Sequence, residues 1–309
     1  MIRSRLTEVL SAIEAEVENA NEAAGAGGET TALSGGYRFG QAGRYRISVA
    51  NTREARHRAW HMVYGTYRNI NYVNADSSEL RMVLQDASPA TTTFMVEDAI
   101  DSRAMATFTL TPDSPLGLPL EAYYAAEVGA LRSAGRKPCE ISKLVACSPA
   151  ADDQPGIEVL LNAFKLAFLT ARRLEACTDF VIAVIPRHAP YYRRLLMFEP
   201  LGEARSYRSL NGLETVPMRL DLLRAEDLYR EKFGRLPGPK NLYRFFINDE
   251  DPAILDWLRC ERRPMSSEDF RHFFMEQTRI YEEASQEDRL VLNSCYLSRD
   301  RAMAMAGQC

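Results

Sequence analysis

The sequence predicts an α/β (α+β) fold: one mixed central sheet flanked by helices, with a helical C-terminal extension. Three observations predict it. Strand-like and helix-period runs alternate between Arg44 and Leu222 in the order β-α-β-β-α-β-α-β-α-β-β. The run FVIAVI, 180–185, is apolar throughout, as a strand buried on both faces must be. From Ala225 onward the pattern turns helical and charged.

Taken in order, residues 4–24 place Leu6, Val9, Leu10, Ile13 and Val17 at helical spacing, which predicts a surface helix. Residues 24–36 are rich in Gly, Thr and Ser and read as a linker. RYRISVA, 44–50, alternates and predicts a strand. Asn51 or Thr52 can cap the next helix, which carries Trp60, Tyr64 and Tyr67. Thr92–Glu97 and Arg103–Leu110 predict a hairpin across the short DAIDS connection. A helix follows from Leu120 to Ala134, and Gly135 ends it. Cys139–Ala146 is the next strand, and Ile157–Ala176 is a long helix of period 3.6. After FVIAVI come a short helix, 189–197, and strands at Glu203–Ser209 and Thr215–Leu222 around the turn LNGLE. In the charged remainder, Phe270, Phe273, Phe274, Ile280 and Tyr281 share one helical face. That face fits core packing, or a wall over a bound chain. The tail after Leu297 reads as loose. The expected units are 1–36, a helix and linker; 37–224, the main domain; and 225–309, the helical extension.

Composition narrows the function. A chain of 309 residues, 46% hydrophobic, can bury a sizeable core. A net charge of −4 supplies no general footprint for nucleic acid. The six cysteines form no CxxC pair and only four histidines are present, so no zinc site and no metal are expected. The first residues are charged throughout, unlike a signal peptide, and no run is long enough to span a membrane. Reduced thiols and a cytoplasmic location are the resulting expectation. No GxGxxG follows a first strand, which argues against a dinucleotide fold.

One strand stands out chemically. Alternation in CEISKLVA puts Glu140, Ser142 and Leu144 on one face and Ile141, Lys143 and Val145 on the other. A carboxylate in an otherwise apolar strand is costly unless it is paired or used. Glu140 is therefore either a structural partner of Arg132 or Arg136, or a buried base of raised pKa.

The order of motifs gives a further lead. A charged helix precedes Glu140-Ile141-Ser142-Lys143, and a Tyr-rich helix, Pro190-Tyr191-Tyr192-Arg193-Arg194, precedes FEPLG and two strands. WHMVYGTYRNINYV belongs to the domain's first helix. This arrangement resembles the GNAT acyltransferase superfamily. Within it, the chain is most similar to the long-chain N-acyl amino acid synthases, relatives of the acyl-homoserine-lactone synthases. The similarity covers roughly 44–222, and more weakly NLYRFF and PMSSEDF beyond. Homoserine-lactone synthases carry Glu-x-Ser-Arg on the corresponding strand; here Lys143 stands in the Arg position, and the two cations differ in hydrogen-bonding geometry.

The resemblance implies a reaction: acyl transfer from a carrier thioester to an amine. It implies that Leu144, Val145 and Ala146, with Ser142 and Lys143 beside them, bind the pantetheine arm through exposed backbone groups. One N–H there would stabilise the oxyanion, an effect of roughly 10²–10³ in rate. It implies a Tyr that protonates the leaving thiolate: Tyr192, or Tyr191 as alternate, since the usual Tyr-x-x-x-Gly-Phe spacing gains one residue here and Met197 replaces Gly. Trp60, Tyr64 and Tyr67 would border the acyl tunnel or amine pocket; by pattern alone they are a core stripe. The glycine-rich pyrophosphate loop of enzymes that use acetyl-CoA is replaced by Ser148–Gly156, with one glycine and the repelling pair Asp152 and Asp153. That departure favours acyl-4′-phosphopantetheine on an acyl carrier protein as donor, with no tightly bound cofactor. Arg187, Arg193 and Arg194 would contact the carrier's acidic surface. The expected activity is transfer of a long-chain acyl group to the α-amine of an amino acid. The alternatives are a homoserine-lactone-type synthase and a carrier-binding or lipid-sensing module without catalysis.

Overall fold

The computed structural model describes residues 36–40, 43–146, 157–248 and 252–297. The predicted helix 4–24, nearly all of the linker, Cys147, the Ser148–Gly156 loop and the tail after Leu297 lie outside them. Strands β1 (Tyr37–Phe39), β2 (Tyr45–Val49), β3 (Thr92–Asp98) and β4 (Ala104–Pro112) form an antiparallel meander. Helix α1 (Arg53–Asn69) joins β2 to β3, and α2 (Glu121–Ser133) joins β4 to β5 (Pro138–Ala146). Helix α3 (Ile157–Leu169) leads to β6 (Asp179–Val184), and α4 (Ala189–Arg194) leads to β7 (Glu199–Pro200), β8 (Arg205–Tyr207) and β9 (Leu213–Asp221). The strand order is β1-β2-β3-β4-β5-β6-β9-β7, with β8 also on β9. Among the described residues only β5 and β6 run parallel. The sheet is thus mixed, as the pattern predicts.

Local chemistry accounts for the boundaries. Thr52 Oγ1 accepts a hydrogen bond from the Ala55 N–H at 3.2 Å, so Thr52 caps α1. Thr52→Ala should therefore cost about 1 kcal/mol in thermal or denaturant unfolding. Gly135, at φ +71°, follows α2 in the left-handed conformation that glycine adopts most readily. The long helix predicted to Ala176 ends earlier as α-helix. It continues as a π-turn over Thr170–Leu174, where the Thr170 hydroxyl bonds the Leu166 carbonyl at 2.7 Å.

Several elements differ from expectation. The strand predicted at Glu203–Ser209 is only Arg205–Tyr207, because the chain turns into a short 3₁₀ segment at Arg208–Leu210 and passes Asn211 at φ +51°. Strands β1 and β7 have three and two residues, too few for a period to show.

The extension packs onto the main domain. Helix α5 (Ala225–Phe233) places Tyr229 and Phe233 in the principal core with Phe168 and Phe246. Helices α6 (Pro252–Glu261), α7 (Ser267–Arg271), α8 (Ile280–Glu283) and α9 (Gln286–Leu292) follow. Phe270, Phe273 and Phe274 are fully buried, and Phe273 meets Trp60 of α1 edge-on at 4.9 Å. The aromatic face of the extension is therefore core. Among the described residues no helix is long and apolar enough to cross a membrane.

Candidate active site

Strands β5 and β6 pair only from Pro138↔Asp179 to Glu140↔Val181. Beyond that point they diverge around a cavity of about 290 Å³, walled by Ile141–Ala146 on one side and Ile182–Ile185 on the other. Among the described residues, the β5 edge facing β6 has no strand partner from Ile141 onward. A bulge lies at the point of divergence. On β4, Thr109 faces Ser142 while Thr107 faces Val145, so Lys143 and Leu144 together stand opposite Phe108.

Lys143 takes φ +53°, a left-handed conformation uncommon for a residue with a side chain. An ion pair between its Nζ and the Asp86 carboxylate anchors it, with both side chains buried. This corrects the alternation expected past Ser142. The bulge shifts the facing of Lys143, Leu144 and Val145, since two residues occupy one register position.

Glu140, the last β5 residue paired with β6, is 4% exposed and does not itself line the cavity. One oxygen accepts the Leu120 N–H at 2.7 Å. Neither proposed arginine partner reaches it. Arg132 holds Asp113 and Glu121, and Arg136 holds Asp179 and Asp221. Burial raises the Glu140 carboxyl from its ordinary 4.5 to about 8; the Leu120 N–H and Lys143 oppose the rise, while Glu121 and Asp86 add to it. The Ser142 hydroxyl is buried without a protein partner and its residue lines the cavity.

The two adjacent tyrosines separate clearly. Tyr192 lines the cavity, its ring edge-on to Phe164 and Phe198 at 6.0 and 5.8 Å. Tyr191 does not line it, and its hydroxyl is buried with no partner. Burial pushes both phenols well above the usual tyrosine range. Tyr67 also lines the cavity, and burial raises its phenol too.

Trp60 and Tyr64, expected to border the acyl tunnel or the amine pocket, do not line this cavity. Trp60 faces the extension and a separate cavity of about 450 Å³, and the Tyr64 hydroxyl accepts the Asp76 N–H at 3.0 Å beside a third. Helical spacing explains it: only the last turn of α1, with Thr66 and Tyr67, reaches the split. Arg187 lies at the rim of the split, 3.4 Å from the Tyr72 hydroxyl. Arg193 and Arg194 are exposed and do not line it. Phe164, His188 and Thr215 line the cavity without having been singled out from sequence. Phe164 reads as one more apolar residue of a helix, and Thr215 as an ordinary strand residue.

A mixed sheet that splits between its two parallel strands, with a buried carboxylate where they part, defines a GNAT-like acyltransferase. The family model for the N-acyl amino acid synthase FeeM matches residues 58–221, more than half of the chain, and this chain belongs to that family. The structure of FeeM, an N-acyl amino acid synthase from uncultured soil microbes, aligns with TM-score 0.52 and 21% identity, over 60% of this chain and 95% of that one. The AHL synthase LasI aligns with TM-score 0.43 and 10% identity, over 61% and 91%. A ribosomal-protein-S5-alanine acetyltransferase from Vibrio fischeri gives 0.42 and 12%, over 60% and 95%. The likeness to the FeeM structure is one of fold. No curated protein matches the chain. The family match ends at β9, so the helical extension lies outside it.

Proposed function

We propose that this acyltransferase moves a long-chain acyl group from acyl carrier protein to the α-amine of an amino acid. The observation that carries the reading is the β5 edge, Ile141–Ala146, left without a strand partner among the described residues over a largely apolar cleft, with Glu140 as the last β5 residue paired before it. An extended pantetheine arm can pair with that edge as a strand would. The thioester carbonyl then meets a backbone N–H among Leu144, Val145 and Ala146, which holds the oxyanion as the amine attacks. Glu140 takes the proton from the ammonium, directly or through water. The leaving thiolate takes a proton from Tyr192, which regains one from the nitrogen as the amide forms. Acyl transfer thus forms the amide C–N bond and breaks the C–S bond, with no redox change.

The donor assignment rests on the Ser148–Gly156 sequence, whose two aspartates repel a pyrophosphate. Arg187 at the cavity rim, with the exposed Arg193 and Arg194 nearby in sequence, suits the acidic face of a carrier protein. A carrier-bound donor implies a cytoplasmic reaction.

The test compares palmitoyl-acyl carrier protein with palmitoyl-CoA, each with all twenty amino acids, and reads products by mass spectrometry. An N-acyl amino acid from the carrier-bound donor is expected. Product from CoA alone would sink the donor assignment. Bound but unreacted thioester would favour a carrier-binding or sensing role. Within the same assay, Tyr192→Phe should lower kcat about a hundredfold, while Tyr191→Phe stays near wild type. Equal losses in both variants would remove Tyr192 from its role.

A further inference from the structure

Two cavities share walls at the end of α1. Thr66 and Tyr67 line the split-strand cavity, while Tyr64, one turn earlier, lines a neighbouring cavity of about 560 Å³. The turn after β8 is shared in the same way: Leu210 faces the first cavity, and Arg208, Ser209 and Asn211 face the second.

Arg81 spans both walls. Its backbone N–H donates to the Trp60 carbonyl at 3.1 Å, and its Nη2 donates to the Ser209 carbonyl at 3.3 Å. The residue is half-buried and lines the second cavity. Among the described residues its guanidinium has no carboxylate partner. The nearby acids are engaged differently: the Asp76 side chain accepts from the Ser78 N–H and hydroxyl, and Glu79 lies beside His61. Glu283 and the cations Arg208 and Arg279 complete the charged lining. One bond to a carbonyl leaves most of the donors of a guanidinium free, in the planar fork that matches a carboxylate.

The charge of Arg81 also reaches a side chain of the split-strand cavity. Burial raises the Tyr67 phenol, the charge of Arg81 draws it back down, and the charge of Glu140 pushes it up again. Tyr67 therefore lies within electrostatic reach of both groups, in the cavity adjoining the one that Arg81 lines. An α-amino acid carries its amine and carboxylate on one carbon. A carboxylate held by Arg81 would leave the amine to point toward the cavity that Tyr67 lines.

We infer that the 560 Å³ cavity admits the acceptor and that Arg81 binds its free α-carboxylate. This rests on the reading of the protein as an N-acyl amino acid synthase, and it makes a free carboxylate the feature by which the enzyme selects its acceptor.

The experiment uses the full chain, palmitoyl-acyl carrier protein, and the amino acid selected by the donor screen beside its carboxamide. Wild type should favour the acid over the amide by at least about tenfold in kcat/KM. Arg81→Gln should raise KM for the acid by about ten- to a hundredfold, the size of a lost charge-assisted pair, with the donor KM unchanged. The acid-to-amide ratio should fall toward one, and Arg81→Lys should restore part of it. Thermal unfolding of the variants checks that the fold is kept; a purely structural Arg81 would lower acid and amide rates together. Wild-type product with an acid-to-amide ratio that Arg81→Gln leaves unchanged overturns the inference and leaves the functional reading standing. No N-acyl amino acid from wild type, with another amine acylated instead, overturns that reading and the inference with it.

Discussion

Exchanging Glu140 for glutamine should lower kcat about 10²- to 10⁴-fold, the range of a lost general base, while the acyl donor binds as before. The substitution suits its site. Glutamine keeps the oxygen that accepts the Leu120 N–H at 2.7 Å and nearly keeps the volume, so the closed end of the split should hold its shape. What disappears is the ability to take a proton. The pH dependence gives a second readout. With the carboxyl raised to about 8, most wild-type molecules at pH 7 carry Glu140 protonated, and the rate should climb with pH and level off above about 8. Glu140→Gln should remove that rise.

Stability should move the other way. Between 4.5 and about 8 the folded state holds a proton that the unfolded state has lost. Unfolding free energy therefore falls as pH rises through that window, and levels off beyond it. The glutamine variant should lack this decline, so at pH 9 it should unfold at a higher temperature than wild type. A variant with full turnover and an unchanged pH profile would remove Glu140 from the mechanism.

Much of the fold was legible because its signals are local. The cap at Thr52, the glycine after α2 and the apolar run of β6 each state their own structure within a few residues. The split was legible only through resemblance. A bulge at Lys143 leaves no mark in a strand of ordinary composition, and the Asp86 that anchors Lys143 lies 57 residues away. Arg132 and Arg136 were plausible partners for Glu140 by position, but carboxylates from four other places in the chain hold them. The position of Trp60 had the same difficulty, since the Phe273 that covers it belongs to the distant extension. The choice between Tyr191 and Tyr192 depended on which way a six-residue helix faces, and a helix that short has no period to read. Function entered the sequence as motif order; the chemistry of individual residues needed contacts between distant segments.

The end of the sheet opposite the split is held by charge, and its removal should be the largest stability effect. Asp179, at the start of β6, is fully buried and accepts from Arg136 Nε at 2.7 Å, Arg219 Nε at 2.5 Å and the Thr178 hydroxyl at 2.5 Å. Arg136 also reaches Asp221 of β9 at 2.6 Å. Asp179 faces Pro138 on β5 and Asp221 on β9 in register, so this network ties three strands where β5 and β6 still pair. Burial alone would push the Asp179 carboxyl up; the bonds from Arg136, Thr178 and Arg219 outweigh it and hold the group below its ordinary 3.8. Asp179→Ala should cost about 3–5 kcal/mol, because it strands two half-buried guanidinium groups with Asp221 as their remaining shared partner. For a protein of 309 residues that is a fall of about 5–8 °C in Tm.

The sign of the pH effect follows from the lowered carboxyl. The stabilisation is fully present above about 3.8 and is lost as pH falls through the lower folded value. Asp179→Ala should flatten that acid limb. It should also weaken donor binding, because the split needs a paired end to diverge from. If Tm falls while the donor KM and the acid limb both stay as in wild type, the network stabilises the sheet but does not set the geometry of the split.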